Sequence, residues 1–179
     1  RAGISGASHG EGRIEYMLKI AIIGTTSWGT TLGVILARKG IRVRLWARTE
    51  QEATELRNNG LGPDLSPDTF PPQLLITHQL GEALADVKAI IMAVPSQSMR
   101  ENMQLVKDYL DKSMMVISAA KGLEIGSSKR MSQVIADEIP PRFQANICVL
   151  SGPNLAREVL LGLPAAAVIA AADGSVARK

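Results

Sequence analysis

A glycine-containing turn near the start of the chain carries the first residues that could bind a charged ligand. Gly24 and Gly29 stand at the first and third positions of a G-x-G-x-x-G pattern, with Thr26 in the middle position. Gly24 would allow a tight turn, and Gly29 would let a helix pack closely on the preceding strand. The amides at that helix start, around Ser27 and Trp28, favour a pyrophosphate group together with the helix dipole. The turn therefore predicts a phosphate site, and a strand-to-helix turn without a ligand is the alternative.

An arginine stands at the position where dinucleotide sites select their coenzyme. In NAD-selective sites an acid at the end of the second strand, about twenty residues past the glycines, binds the ribose hydroxyls. Here that strand end reads Leu-Trp-Ala-Arg, so that Arg48 replaces the acid. A guanidinium can bind a 2′-phosphate through two parallel hydrogen bonds. Arg48 therefore favours NADP over NAD, and a surface arginine without a ligand is the alternative.

Three later strand ends place further polar residues near these two turns. Pro95 and Ser96 follow an apolar run and would lie over the ribose or nicotinamide side of a dinucleotide. Lys121 follows the next apolar run, where an ammonium group could meet an anion or a carbonyl oxygen. Gly152 and Asn154 offer amide donors at the start of a later helix, with Asn154 as its cap. Each of these residues could equally be a strand stop, a loop residue or a helix cap.

Short apolar runs alternate with amphipathic stretches, and this alternation must position the turns. The apolar runs predict strands over Leu18–Ile23, Ile41–Trp46, Leu74–Thr77, Ala89–Val94, Met114–Ala119, Ile147–Leu150 and Ala165–Ala171. The amphipathic stretches predict helices over Trp28–Arg38, Glu50–Asn58, Gly81–Asp86, Ser98–Leu110, Ser128–Glu138 and Asn154–Leu161. This order predicts a mostly parallel sheet that helices cover on both faces. Right-handed crossovers then bring the strand-to-helix turns to one edge, where such sheets bind ligands.

Composition excludes several classes of function. The 179 residues are 46% hydrophobic and 21% charged, which is typical of one globular domain. The net charge of +3 is scattered and does not indicate binding to nucleic acid. Cys148 is the single cysteine and fits a reducing cytoplasm, and His9 and His78 lack the neighbours of a metal site. No apolar stretch free of turn signals has the length of a membrane span.

The sequence divides into a short tail and one domain. Residues 1–16 are rich in glycine and serine and predict a flexible tail or an artificial extension, with Met17 as the native start. Residues 17–179 predict a single dinucleotide-binding domain.

The residues at these turns resemble the bacterial NAD(P)-dependent glycerol-3-phosphate dehydrogenases. The matching pieces follow one another along the chain as Gly24–Thr30, Leu45–Arg48, Ala93–Ser96, Ala120–Glu124, and Ser151–Val159 with Gly162–Pro164. The last piece is the most specific. Members of the family usually read Gly-Ala-Gly-Ser-Trp-Gly in the first turn, where this chain has Thr25 and Thr26. Asn154 and Leu155 stand where the family usually has Ser or Thr followed by Phe.

The resemblance implies a Rossmann-like, doubly wound sheet and the interconversion of dihydroxyacetone phosphate and sn-glycerol 3-phosphate, which supplies glycerophospholipid synthesis. The cofactor contacts that it implies, together with those expected from the turns, are Gly24, Thr26, Ser27, Trp28, Gly29, Arg48, Pro95, Lys121 and Ala156. The substrate contacts that it implies are Lys121, Gly152 and Asn154. A lysine near backbone amides also suits a phosphorylated, carbonyl-bearing anion on physical grounds.

The family has a second, helical domain that carries its principal catalytic lysine, and we expect that domain to be missing from these 179 residues. The resemblance therefore implies that the chain binds NADP or NAD but turns over slowly or not at all, and that a full-length protein could form a homodimer. Three alternatives remain open. They are a reductase of the 6-phosphogluconate or ketopantoate type, a non-catalytic dinucleotide sensor, and a structural module without a ligand.

Overall fold

The computed structural model describes residues 18–179, so that the predicted tail over residues 1–16 and the predicted start at Met17 lie outside the described residues. The strands are β1 (Lys19–Ile23), β2 (Arg42–Trp46), β3 (Leu74–Thr77), β4 (Ala89–Met92), β5 (Met115–Ser118), β6 (Ile147–Ser151) and β7 (Val168–Ala171). The helices are α1 (Ser27–Arg38), α2 (Glu50–Asn59), α3 (Leu80–Leu84), α4 (Met99–Val106), α5 (Met131–Glu138), α6 (Pro141–Gln144), α7 (Ala156–Leu160) and α8 (Gly174–Ala177).

The seven strands form one sheet in the order β3-β2-β1-β4-β5-β6-β7. Neighbouring strands from β3 to β6 run parallel, and only the pair β6 and β7 is antiparallel among the described residues. Ile23 at the end of β1 pairs with Trp46 on one side and with Met92 on the other. The strand order reverses beside β1, and a crevice opens at such a reversal at the carboxyl ends of the strands. The fold is the Rossmann-like, doubly wound fold that the sequence predicts.

The central strands hold the sheet together because both of their faces are buried. In β1, Ala21 and Ile23 pack into the core on one face, and Ile20 and Ile22 pack into the core on the other. Successive side chains of a strand point to opposite faces, so that an uninterrupted apolar run buries both sides. Full burial of one such isoleucine contributes roughly 1.5–3 kcal/mol to stability. The two cores fix the strand ends from which the polar residues project.

The edge formed by β7 departs from the prediction of a sheet covered on both faces. Val168 and Ile169 are 65% and 49% exposed, and β7 returns antiparallel to β6. The connection between these strands contains α7, which has only five residues and is short for the helix that usually forms a parallel crossover. The predicted coverage is therefore wrong at this edge, and the predicted strand over Ala165–Ala171 begins only at Val168.

Further element boundaries differ from the predictions. The helix that was predicted over Ser98–Leu110 covers only Met99–Val106. The strand that was predicted to reach Val94 ends at Met92. Helix α5 begins at Met131 because Ser128 has a φ of 55°, which a right-handed helix does not accommodate. Helix α7 begins at Ala156, and Leu155 precedes it without a capping side-chain hydrogen bond, so that the prediction of Asn154 as the cap is wrong.

Among residues 18–179, no helix is long and apolar enough to cross a membrane. The same residues contain no group of three or more histidine, cysteine or acidic side chains that could hold a metal ion.

Candidate functional site

The turn between β1 and α1 requires glycine at two positions. Gly24 has a φ of +109°, and a Cβ atom there would lie 2.8 Å from the carbonyl oxygen of Ala93. A Cβ atom at Gly29 would lie 2.2 Å from the carbonyl oxygen of Gly24. Both positions therefore exclude larger residues, and they let the start of α1 pack directly against the ends of β1 and β4, as the sequence predicts.

Thr26, in the place of the middle glycine, is the cap of α1. Its φ and ψ are −58° and 161°, so that this position needs no glycine. Its hydroxyl accepts a hydrogen bond from the amide of Gly29 at 3.1 Å and donates one to the carbonyl oxygen of Ala93 at 2.9 Å. The hydroxyl is thus held between α1 and the end of β4. The backbone strain that a side chain at this position could introduce is absent.

Two amides remain available at the start of α1. Within residues 18–179, the amides of Ser27 and Trp28 donate no hydrogen bond, whereas the amide of Thr30 already bonds to the carbonyl oxygen of Thr26. Free amides at the start of a twelve-residue helix, with its dipole behind them, are an anion-binding feature. The donors at this corner therefore fit a diphosphate.

Two adjoining clefts lie at the carboxyl edge of the sheet, on either side of this corner. The first cleft has a volume of about 460 Å³ and is lined by Gly24, Thr25, Thr26, Trp46, Arg48, Glu52, Val94, Pro95, Ser98, Glu101 and Asn102. The second cleft has a volume of about 260 Å³ and is lined by Thr26, Trp28, Ala93, Val94, Pro95, Ala119, Ala120, Lys121 and Asn154. Thr26, Val94 and Pro95 belong to both. An elongated ligand with two lobes and a central diphosphate fits this arrangement.

Charged side chains surround the first cleft. Arg48, at the end of β2, donates to Glu101 Oε1 at 2.7 Å and to Asn102 Oδ1 at 3.4 Å, and both acceptors lie on α4. The backbone amide of Arg48 donates to Glu52 Oε2 at 2.8 Å. The hydroxyl of Thr25 donates to the other oxygen of Glu52. Arg48 therefore lines the first cleft with two carboxylates beside it, and its contact with a coenzyme stays a prediction.

Lys121 and Asn154 both line the second cleft. Lys121 Nζ donates to the carbonyl oxygen of Asn154 at 3.3 Å, which joins the loops after β5 and β6. The side-chain oxygen Oδ1 of Asn154 is buried and accepts no hydrogen bond within residues 18–179. A buried acceptor without a donor is costly, so that a ligand with a hydroxyl or amide group would stabilise this position.

The loop that carries Lys121 is fixed from the other side by α4 and the turn before it. The side chain of Gln97 donates from Nε2 to the carbonyl oxygen of Leu123 at 2.8 Å, and its Oε1 accepts from the backbone amide of Ile125 at 2.9 Å. Arg100 binds both oxygens of Glu124 at 2.8 and 2.9 Å. The hydrogen bonds from Arg100, followed by the one from Ser127, lower the pKa of Glu124 to about 2 from its ordinary 4.5. The loop after β5 is therefore held by Gln97 and Arg100 on one side and by the contact between Lys121 and Asn154 on the other.

Four of the predicted site residues do not line either cleft: Ser27 and Gly29 at the start of α1, and Gly152 and Ala156 after β6. A Cβ atom at Gly152 would lie 2.3 Å from the carbonyl oxygen of Ala166, so that this glycine allows the chain before β7 to pack against the loop. Ala156 is the half-buried first residue of α7 and is not among the described residues that line either cleft. Their predicted contacts with substrate and cofactor stay predictions.

Sequence reasoning missed two acidic residues of the first cleft, Glu52 and Glu101. For Glu52 a signal was available, because Thr49 and Glu52 have the spacing of a capping box, which places Glu52 in the first turn of α2 beside the end of β2. For Glu101 the sequence contains no such signal. Its position depends on how α4 packs beside β1 and β2, which is a tertiary contact.

Comparison with known proteins identifies the family. The family model described as "NAD-dependent glycerol-3-phosphate dehydrogenase N-terminus" matches residues 19–177. The chain belongs to this family. A glycerol-3-phosphate dehydrogenase [NAD(P)+] of Dehalococcoides mccartyi is 56% identical over 165 residues, which cover 91% of this chain and 46% of the relative. The corresponding enzyme of Corynebacterium glutamicum is 40% identical over 163 residues, which cover 90% of this chain and 49% of the relative.

Solved structures of glycerol-3-phosphate dehydrogenases share the fold. The enzyme of Coxiella burnetii is 33% identical with a TM-score of 0.77, and the match covers 90% of this chain and 49% of that one. The chain thus spans about half the length of the family members it matches. These similarities support the glycerol-3-phosphate dehydrogenase interpretation over the alternatives of a 6-phosphogluconate or ketopantoate reductase and of a sensor.

Proposed function

We propose that this chain is the coenzyme-binding part of an NAD(P)-dependent glycerol-3-phosphate dehydrogenase. The observation that carries the proposal is the pair of clefts that meet at the start of α1, where the amides of Ser27 and Trp28 have no partner within residues 18–179. The diphosphate of the coenzyme would bind these amides. Its adenosine half would occupy the first cleft beside Arg48, and its nicotinamide half would occupy the second cleft beside Pro95.

The substrate would bind at the far end of the second cleft. Dihydroxyacetone phosphate is an anion with a ketone and a hydroxyl group, and the cleft offers it a cation at Lys121 and an unpaired acceptor at Asn154. When bound, the reduced nicotinamide ring supplies a hydride to the carbonyl carbon and is left oxidised. Lys121 would hold the ketone oxygen or the phosphate while negative charge develops on that oxygen.

A proton for the ketone oxygen must come from a general acid. In the family that this chain resembles, the principal catalytic lysine belongs to a second, helical domain. The 179 residues would therefore bind the coenzyme and orient the substrate, and a second domain would complete the acid–base chemistry. Gly152 and Ala156 do not line either cleft, and their contacts with substrate and coenzyme are part of this proposal.

Two further parts of the proposal concern the setting of the protein. The thiol of Cys148 is free and buried, and burial raises its pKa, which suits a reducing cytoplasm.

A homodimer of the longer protein is also proposed. Sedimentation of the longer protein would test it, with a single monomeric species contradicting dimerisation.

The experiment that tests the proposed function has two stages. Calorimetric titration of NADH and NADPH into this chain should give saturable binding of at least one coenzyme. A protein with the full length of its relatives should then oxidise the reduced coenzyme with dihydroxyacetone phosphate. Oxidation of the reduced coenzyme with 2-ketopantoate alone would favour a ketopantoate reductase. Reduction of the oxidised coenzyme with 6-phosphogluconate alone would favour a 6-phosphogluconate dehydrogenase. Coenzyme binding without turnover of any of the three would favour the sensor.

A further inference from the structure

Three charged side chains meet around the first cleft, and their charges do not cancel. Arg48 supplies one positive charge, whereas Glu52 and Glu101 supply two negative charges. NADP and NAD differ at the adenosine ribose, where one has a 2′-phosphate and the other a 2′-hydroxyl. An arginine favours the phosphate, and a carboxylate favours the hydroxyl. The cleft therefore contains groups of both kinds.

Glu101 holds the guanidinium of Arg48 from α4. The two side chains form an ion pair at 2.7 Å and are 48% and 61% exposed for Arg48 and Glu101 respectively. Exposed pairs of this kind contribute little, roughly 0–1 kcal/mol. A ligand phosphate can therefore displace Glu101 from Arg48. The displaced carboxylate of Glu101 stays nearby, however, and its negative charge repels the phosphate. Glu101 thus acts as a competitor of the 2′-phosphate for the same guanidinium.

Glu52 has a different position, because it bridges the two sides of the first cleft. A residue at this place in a capping box normally reaches back to the amide of the capping residue, here Thr49. Instead, the carboxylate of Glu52 accepts from the amide of Arg48 and from the hydroxyl of Thr25 in the glycine-containing turn. It therefore lies between the diphosphate corner and the end of β2. That is the region where a ribose-binding acid stands in NAD-selective sites.

We propose that Glu52 and Glu101 are specificity-determining residues of the coenzyme site, which weaken the binding of a 2′-phosphate at Arg48. This inference rests on the proposed function. Glu101 opposes the 2′-phosphate by pairing with Arg48, and Glu52 opposes it by repulsion while it offers an acceptor to ribose hydroxyls. The ratio of NADPH to NADH affinity is therefore set by three side chains rather than by Arg48 alone.

The two carboxylates should respond differently to neutralisation. Glu101→Gln should tighten NADPH binding about two- to fivefold, the effect of removing one exposed charge near another, and should leave NADH binding unchanged. Glu52→Gln should tighten NADPH binding by a similar factor and should weaken NADH binding, because the amide is a poorer acceptor for ribose hydroxyls. Both variants should therefore raise the NADPH-to-NADH affinity ratio.

The test is calorimetric titration of NADPH and NADH into the wild-type chain and three variants. Glu55→Gln is the matched control, since Glu55 is an exposed acid on α2 that does not line the first cleft and accepts from Gln51. Thermal unfolding of each variant verifies folding. Glu101→Gln is the decisive variant, because its side chain is exposed and its loss removes no cap.

The outcomes separate this inference from the proposed function. A raised affinity ratio in both variants, with the ratio of Glu55→Gln unchanged, supports the inference. If the wild-type chain binds a coenzyme but Glu101→Gln and Glu52→Gln leave the ratio unchanged, the inference is wrong and the proposed function stands. An equal rise in Glu55→Gln also overturns it, because the effect would then reflect net charge. If the wild-type chain binds neither coenzyme, both fail.

Discussion

The hydroxyl of Thr26 lies 3.1 Å from the amide nitrogen of Gly29 and caps the helix at which the coenzyme is proposed to bind. Thr26, at the position that usually carries the middle glycine of the turn, therefore stabilises the start of α1 as its cap. The same hydroxyl also binds the carbonyl oxygen of Ala93, at the end of β4. One side chain thus fixes the start of α1 to the carboxyl edge of the sheet.

Thr26→Ala should destabilise the chain by about 0.5–2 kcal/mol, the usual cost of losing a capping hydroxyl. Thr26→Ser keeps the hydroxyl and should lose much less. Urea unfolding monitored by circular dichroism measures both free energies. Equal stability of Thr26→Ala and the wild-type chain would show that the hydroxyl does not cap α1.

Lys121→Ala should weaken coenzyme binding by about ten- to a hundredfold, because a hydrogen bond from a charged group contributes roughly 1.5–3 kcal/mol. Calorimetric titration of this chain with NADH measures the change. Lys112→Ala is the control, since Lys112 is an exposed lysine in the turn before β5, at the opposite edge of the sheet. The role of Lys121 would be refuted if both variants bound NADH as tightly as the wild-type chain.

The pairing of Glu124 with Arg100 should make stability depend on pH in the acidic range. Because the pKa of Glu124 is lowered from 4.5 to about 2, its carboxylate stabilises the folded chain above about pH 4.5, and this contribution is lost as the pH falls towards 2. Glu124→Gln should therefore be less stable than the wild-type chain at pH 6. The difference should shrink as the pH falls through this window.

Urea unfolding of both chains at a series of pH values measures this effect. Glu158→Gln on α7 serves as the control, because Glu158 is exposed and lies outside the Arg100 cluster. A stability difference between Glu124→Gln and the wild-type chain that stays constant from pH 6 to about pH 2 would contradict the pairing.

The 179-residue chain should bind coenzyme but should reduce dihydroxyacetone phosphate slowly. We expect a rate at least about a hundredfold below that of a protein of the full family length, because the loss of a general acid commonly costs that much. The absorbance of the reduced coenzyme measures both rates. Rapid turnover by the isolated chain would mean that these residues hold a complete catalytic site.

Much of the fold could be predicted from the sequence because its signals are local. The uninterrupted apolar run of β1 and the glycines at 24 and 29 determine a strand, a tight turn and a close helix without distant contacts. The antiparallel course of β7 could not be predicted, because an apolar run does not encode the direction in which it pairs.

The site was predictable where residues follow strand ends directly. Arg48, Pro95 and Lys121 all line the clefts, because parallel strands end at one edge of the sheet. The hydrogen bond from the Thr26 hydroxyl to the carbonyl oxygen of Ala93 was not predictable, since it joins residues 67 positions apart. The pairing of Glu101 with Arg48 likewise depends on residues 53 positions apart.

The proposed function depends on coenzyme binding at the start of α1, and amide chemical shifts of the isotopically labelled chain test that binding most directly. Titration with NADH or NADPH should shift the amide resonances of Ser27 and Trp28 in a saturable way and more than those of Lys112 and Glu55. Saturable binding that leaves Ser27 and Trp28 unshifted, or no binding of either coenzyme, would contradict it.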